Sequence, residues 1–129
     1  MNKPLVSIIT PCFNGESCLD RYFKSILDQT YANLELIFVN DGSTDKTEEI
    51  ALSYKSKLEE KGIQYTYIYQ DNAGQAAALN KGLKIFKGDY LTWPDSDDVM
   101  TPDSIEKKVK FLTENKKYRM VRSNGLFYY

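Results

Sequence analysis

The sequence predicts an α/β fold in three layers, with a mainly parallel sheet covered by helices on both faces. Three observations predict it. Short β-branched runs alternate with amphipathic segments of about 10–15 residues, as βαβ units require. The opening run, Leu5 to Thr10, is short and β-branched, which suits a strand buried on both sides of a parallel sheet. The chain has 129 residues, and domains run to about 100–200 residues, so residues 1–129 are read as one unit.

The elements follow in order. Leu5 to Thr10 is a β-branched run that Pro11 is expected to close. From Glu16 the spacing turns helical, with Leu19, Tyr22, Phe23, Ile26 and Leu27 on one stripe and Asn14 or Ser17 available as a cap. Leu34 to Val39 reads as a second strand, ending in the turn-prone Asn40-Asp41-Gly42-Ser43. Asp45 and Glu48 form a capping-box pair for a helix with Ile50, Ala51, Tyr54 and Leu58 inward, stopped by Gly62.

A third strand is expected from Ile63 to Tyr69, followed by a turn through Gly74. Ala76, Leu79, Leu83 and Phe86 mark the inner face of a small-sided helix ending at Gly88. Asp89 to Trp93 is the fourth strand, stopped by Pro94. Thr101 and Pro102 supply a cap and a first-turn proline ahead of a helix carrying Ile105, Val109 and Leu112. The final stretch, Tyr118 to Tyr129, reads as strand-like.

Composition narrows the chemistry. Hydrophobic residues make up 42% and charged residues 27%, an ordinary globular mixture that excludes fibrous and disordered classes. Seventeen basic residues nearly cancel eighteen acidic ones, for a net charge of -1, so the basic footprint of a nucleic-acid binder is missing. There is no histidine. Ser-His-Asp triads, Cys-His dyads and His-ligated zinc are therefore excluded, and acid–base work falls to carboxylates. Cys12 and Cys18 match no zinc or redox spacing and read as reduced thiols of a cytoplasmic protein. No apolar run is long enough for a membrane span, which leaves peripheral association with the inner face of a membrane open.

Ligands of parallel sheets bind at the carboxyl ends of the strands. Three polar clusters stand there: Pro11-Cys12-Phe13-Asn14, Asn40-Asp41-Gly42-Ser43 and Asp95-Ser96-Asp97-Asp98. Three carboxylates within the last four residues repel one another unless a cation or solvent relieves them. In an extended segment Asp95 and Asp97 would point the same way, about 6.5 Å apart, and could share an ion. Oxygen ligands without His or Cys favour a hard cation, Mg2+ or Mn2+. Acidic residues ahead of a helix also simply decorate solvated turns. Asp41 could accept from a ribose hydroxyl or a base N–H, or it could bond its own turn backbone. Phe13 offers a face on which a base could stack, Gly74 with Ala76, Ala77 and Ala78 would let the third helix lie close to the sheet or a ligand, and Lys81 is a candidate phosphate partner.

In combination these residues resemble the nucleotide-sugar-binding part of family-2 glycosyltransferases. The resemblance runs through nearly the whole chain: the strand Val6 to Asn14, the loop Val39 to Asp45, Asn72-Ala73-Gly74 with Ala77 to Gly82, and Asp95 to Asp98. It implies a Rossmann-like sheet of the GT-A type and metal-assisted transfer, with inversion, from a nucleotide-diphospho-sugar such as a UDP-sugar. The acceptor would be a saccharide or a lipid-linked molecule, as in polysaccharide biosynthesis. Asp41 would hold the base, typically uracil through N3–H, beside Phe13; Pro11, Asn14, Gly74, Lys81, Asp95 and Ser96 would complete the nucleotide site, and Asp97 would ligate the metal. Many relatives carry a basic residue where this chain has Leu79.

The family places its catalytic base well downstream of the acidic motif, whereas only about thirty residues follow it here. The chain is thus expected to be mainly a donor-binding half, truncated before the acceptor half, with the base beyond residue 129. Two other readings share the same residues. Asp95-Ser96-Asp97-Asp98-Val99 also spells the nucleophile motif of haloacid-dehalogenase-like phosphatases, with Asp95 attacking phosphorus. A non-catalytic receiver-like module with an acidic pocket is the other.

Overall fold

The computed structural model describes residues 3–117. Four parallel strands form one sheet: β1 (Val6–Cys12), β2 (Leu34–Asp41), β3 (Gln64–Gln70) and β4 (Tyr90–Thr92), in the order β3-β2-β1-β4. Helices α1 (Leu19–Leu27), α2 (Thr47–Ser53), α3 (Lys55–Glu60), α4 (Gln75–Leu83) and α5 (Ser104–Glu114) connect and cover them. The three-layer parallel architecture expected from the sequence is the one observed. The predicted strand-like segment from Tyr118 onward lies outside the described residues.

Every residue of β1 and β2 is buried, as strands covered on both faces require. β1 runs on through Pro11, which pairs with Val39 rather than ending the strand. β4 pairs with β1 only from Val6 to Ile8, so beyond Ile8 that side of β1 is an edge, where a missing N–H is tolerated. β2 likewise continues through Asn40 and Asp41, placing both inside the sheet instead of in a turn.

One face carries α1, α2, α3 and α5. Leu19, Tyr22, Phe23 and Ile26 of α1 pack with Ile8, Leu36 and Phe38 of the sheet and with Ile105 and Val109 of α5. Each such apolar side chain contributes about 1.5–3 kcal/mol on burial. The predicted single helix after β2 is two short ones meeting at Tyr54, which stacks on Phe23 at 4.7 Å between ring centroids and donates to Asp20 Oδ1 at 2.8 Å. The capping box is not made: the residue capping α2 is Lys46, without a side-chain bond, and Asp45 Oδ1 accepts the Thr47 N–H at 2.9 Å instead. The residue capping α5 is Asp103 rather than Thr101, and Gln29 ties that helix to the end of α1 by accepting from Ile105 N at 3.2 Å.

The other face carries α4. Its buried residues are Ala78 and Gly82, with Leu79 half-buried, whereas the predicted inner residues Ala76 and Leu83 are exposed. The reason is close approach: a Cβ on Gly82 would stand 2.5 Å from Cγ2 of Ile9, so the helix lies on its smallest side. α4 ends before Gly88, whose N–H instead donates to Ser7 Oγ at 2.8 Å. Ser7 in turn donates to buried Glu35 at 2.6 Å, which also accepts Lys87 N–H at 2.9 Å, so the turn into β4 is hydrogen-bonded to the sheet.

The chain steps from β1 to β2 to β3 in one direction and returns to set β4 on the far side of β1. Between the carboxyl ends of β1 and β4 this reversal opens a crevice, the place where open α/β sheets receive ligands.

Candidate functional site

The segment after β1 is tied to the segment after β2. Asn14 has φ +52°, the left-handed region that Asn tolerates better than most residues. Its N–H donates to Ser43 Oγ at 2.8 Å, and its Oδ1 accepts Thr44 N–H at 2.8 Å. Gly15 N–H donates to Thr47 Oγ1 at 2.9 Å and Glu16 N–H to Asp45 Oδ2 at 3.1 Å, while Glu16 Oε1 accepts Lys46 N–H at 2.9 Å. Asn14 is therefore occupied between loops and does not cap α1, which begins after Cys18 with no side-chain cap. Burial pushes the Asp45 carboxyl up, but the Thr47 and Glu16 donors outweigh it and hold the group below its ordinary value.

Asp41, at the tip of β2, is almost fully buried, and its carboxylate organises the turn before α4. Oδ1 accepts from Gln70 Nε2 and Ala73 N–H, each at 2.8 Å. Oδ2 accepts Gly74 N–H at 3.1 Å and, at a longer 3.4 Å, Asn72 Nδ2. Burial works to raise its pKa, yet these donors prevail and the pKa is lowered, so Asp41 is an anion near neutral pH. Of the two sequence readings of Asp41, the structure shows the backbone bonding, though to a distant turn rather than its own.

The acidic segment is a turn, not the extended stretch expected. Asp98 N–H donates to the Asp95 carbonyl at 3.0 Å, and Asp95 N–H returns to Asp98 Oδ2 at 3.0 Å. Turning brings Asp98 in with the other two: one carboxylate oxygen from each of Asp95, Asp97 and Asp98 lies within 4.8 Å of the others. Gln75, the first residue of α4, donates to Asp95 Oδ1 at 2.8 Å. Partial burial and then the charges of Asp98 and Asp97 push the Asp95 carboxyl up, an outcome the Gln75 bond opposes. An exposed, oxygen-only, electrostatically frustrated set of this kind fits a hard divalent cation.

These pieces enclose one cleft of about 600 Å³, within the range of small-molecule sites. Pro11, Phe13, Asn14, Asp41, Asp95, Ser96 and Asp97 all line it. Phe13 is 53% exposed, so its ring is available to a ligand rather than sunk in the core. Gly74 joins through its N–H to Asp41. Lys81 does not: it borders a neighbouring groove of about 440 Å³ with Asp71, Asn80 and Lys84. Sequence reasoning missed Arg21 and Gln75, which also line the cleft. Arg21 sits on the exposed side of a well-patterned helix, and only the fold shows that this side borders the cleft.

Among the described residues no helix is long and apolar enough to cross a membrane.

Residues 7–122 match the family model described as glycosyl transferase family 2. An uncharacterized glycosyltransferase of Rickettsia typhi is 46% identical over 112 residues, covering 87% of this chain and 33% of the relative. The chain therefore spans about a third of that protein's length. Among solved structures, a fragment of S. aureus TarS in complex with UDP superimposes with a TM-score of 0.76 at 26% identity, over 87% of this chain and 33% of that one. The same fragment has been solved with UDP-GlcNAc. The mannosyltransferase PcManGT of Pyrobaculum calidifontis, solved with GDP-Man and Mn2+, shares the fold with a TM-score of 0.78 at 24% identity, over 89% of this chain and 34% of that one.

Proposed function

Since the chain belongs to glycosyl transferase family 2, we propose that its cleft binds a nucleotide-diphospho-sugar, with UDP as the nucleotide, and that these residues are the donor-binding half of an inverting transferase. One observation carries the reading: Phe13, Asp41, Asp95, Ser96 and Asp97, drawn from the ends of three strands, line a single cleft. The TarS structures with UDP and UDP-GlcNAc support it by likeness.

Phe13 stacks on the base, and Asp41 accepts the base N–H at Oδ2, the oxygen with the long Asn72 contact. Pro11, Asn14 and the Gly74 backbone fix the walls. Asp95 and Ser96 take the ribose side. Asp97, with Asp95 and Asp98, holds a divalent cation, Mg2+ or Mn2+, for which the donor set is suited. When bound, that ion supplies charge neutralisation for the departing nucleoside diphosphate. Lys81 borders the neighbouring groove, and Arg21 is the cation lining the cleft itself, so we assign the diphosphate contact to Arg21. The acceptor, a saccharide or lipid-linked molecule of polysaccharide biosynthesis, attacks the anomeric carbon opposite the leaving group. We place no catalytic base among the described residues, and we place the protein in the cytoplasm or at the inner membrane face. The phosphatase and receiver-like readings gain nothing from the relatives.

Calorimetric titration with UDP, with and without Mn2+, tests this. Heat that requires the metal is expected. Metal-independent heat, or no binding at about millimolar UDP, overturns it.

A further inference from the structure

Cys12 and Cys18 meet at one residue. Cys12 ends β1 and is buried, whereas Cys18 is half-buried just ahead of α1, and both line the cleft. A Cβ on Gly15 would come within 2.5 Å of Cys12 Sγ, and Cys18 Sγ donates to the Gly15 carbonyl oxygen at 3.3 Å. Both sulfurs thus lie against Gly15, one beside its Cα and the other at its carbonyl oxygen. The same Gly15 Cβ would stand 3.4 Å from the hydroxyl of Ser96, the residue between Asp95 and Asp97, so Cys12 and Ser96 border one spot. Sulfur chemistry at Cys12 is in this way linked to the acidic turn.

We propose that Cys12 and Cys18 are a redox pair that closes into a reversible intrachain disulfide under peroxide, and that closing it disables the cleft. Cys18, the half-buried one of the two, gives its thiol proton to solvent and attacks one peroxide oxygen as the thiolate; the O–O bond breaks, the departing hydroxide takes up a proton in exchange, and the products are a sulfenic acid and one water. Cys12 then attacks the Cys18 sulfur, its thiol proton leaves with the displaced hydroxide as a second water, and the S–S bond forms. Both thiols are oxidised and one peroxide is reduced. Burial pushes the Cys12 thiol up, so Cys18 rather than Cys12 is placed first in the sequence of steps.

A disulfide needs its Cβ atoms about 3.5–4.5 Å apart, so the 13–17 loop must tighten around Gly15. That loop carries Phe13 and Asn14, and its amides are bonded to Ser43, Thr47 and Asp45. Tightening strains those bonds and withdraws Cys12 from Ser96. The loss of nucleotide affinity rests on the proposed function, whereas formation of the disulfide does not.

The test treats the whole chain with hydrogen peroxide, reads intact mass and free thiols, and titrates UDP with Mn2+ before oxidation, after it and after added dithiothreitol. Expected are monomers that have lost both thiol hydrogens, UDP affinity weaker by about tenfold or more, and recovery on reduction. In Cys18→Ser and Cys12→Ala chains, oxidation should leave each variant's own UDP affinity unaltered. Only higher sulfur oxides, only interchain disulfides, or an intrachain disulfide without loss of affinity would overturn the proposal. A reduced chain that binds no UDP counts against the donor-site reading alone, and the mass and thiol count then decide the pair.

Discussion

Gln75 Nε2 donates to Asp95 Oδ1 at 2.8 Å, so the first turn of α4 holds the acidic turn that follows β4. A neutral amide thus steadies a carboxylate that its neighbours Asp97 and Asp98 repel. The site is held in an unfavourable charge state by bonds made elsewhere, a common cost of function.

Asp95→Asn should therefore stabilise the metal-free protein. The Asp95 pKa is raised by partial burial and by Asp98 and Asp97, so its ionised form opposes folding at pH values above that raised pKa. Asparagine keeps an acceptor for Gln75 and removes the charge. The melting temperature without metal should rise at neutral pH, and the gain should vanish below the ordinary carboxyl value of 3.8. A lower melting temperature at neutral pH would show that repulsion is not what the turn resists.

Asp41→Asn should do the reverse. The Asp41 pKa lies below its ordinary 3.8 because donors from Gln70, Ala73 and Gly74 overcome the effect of burial. Its contribution is thus fully present above 3.8 and is lost as pH falls through the lowered value. An asparagine leaves one N–H facing a donor, at a cost of about 1–3 kcal/mol near neutral pH. Urea unfolding of both chains across the acid range should show the gap narrowing as pH falls.

Phe13→Ala should separate binding from folding. The ring is 53% exposed, so unfolding midpoints should barely move. A stacked base is worth about 1–3 kcal/mol, and UDP titration should show roughly that loss.

Gly82→Ala sets two effects against each other. Alanine gains about 1 kcal/mol of helix propensity over glycine. Its Cβ would stand 2.5 Å from Cγ2 of Ile9, a fully buried side chain of β1, and overpacking costs about 1–3 kcal/mol. The variant should be destabilised, and in an Ile9→Ala background, which lacks Cγ2, Gly82→Ala should cost less, as a double-mutant cycle reads.

Strand and helix types were legible because their periodicities are strong: the α1 stripe at Leu19, Tyr22, Phe23 and Ile26 is the stripe that is buried. Boundaries were less so. Pro11 looked like a terminator, yet only the extent of β4 decides whether a missing N–H matters there. On α4 the close approach read from its alanines is made at Ala78, together with Gly82, whereas Ala76 and Leu83 of the apolar stripe are exposed. Most of the candidate site could be located, since polar residues at the tips of parallel strands converge by topology. Arg21 and Gln75 were out of reach because both lie on helices, and their part depends on which helix side the acidic turn approaches.

The lattice of bonds joining residues 14–16 to 43–47 has a thermodynamic corollary. Amide protons of Asn14, Gly15, Glu16, Thr44 and Lys46 share one set of partners across two loops. They should exchange with deuterium as a cooperative block, so this wall is already ordered before any ligand arrives. Whatever entropy binding must remove then falls on the opposite bank, at Asp95 to Asp98.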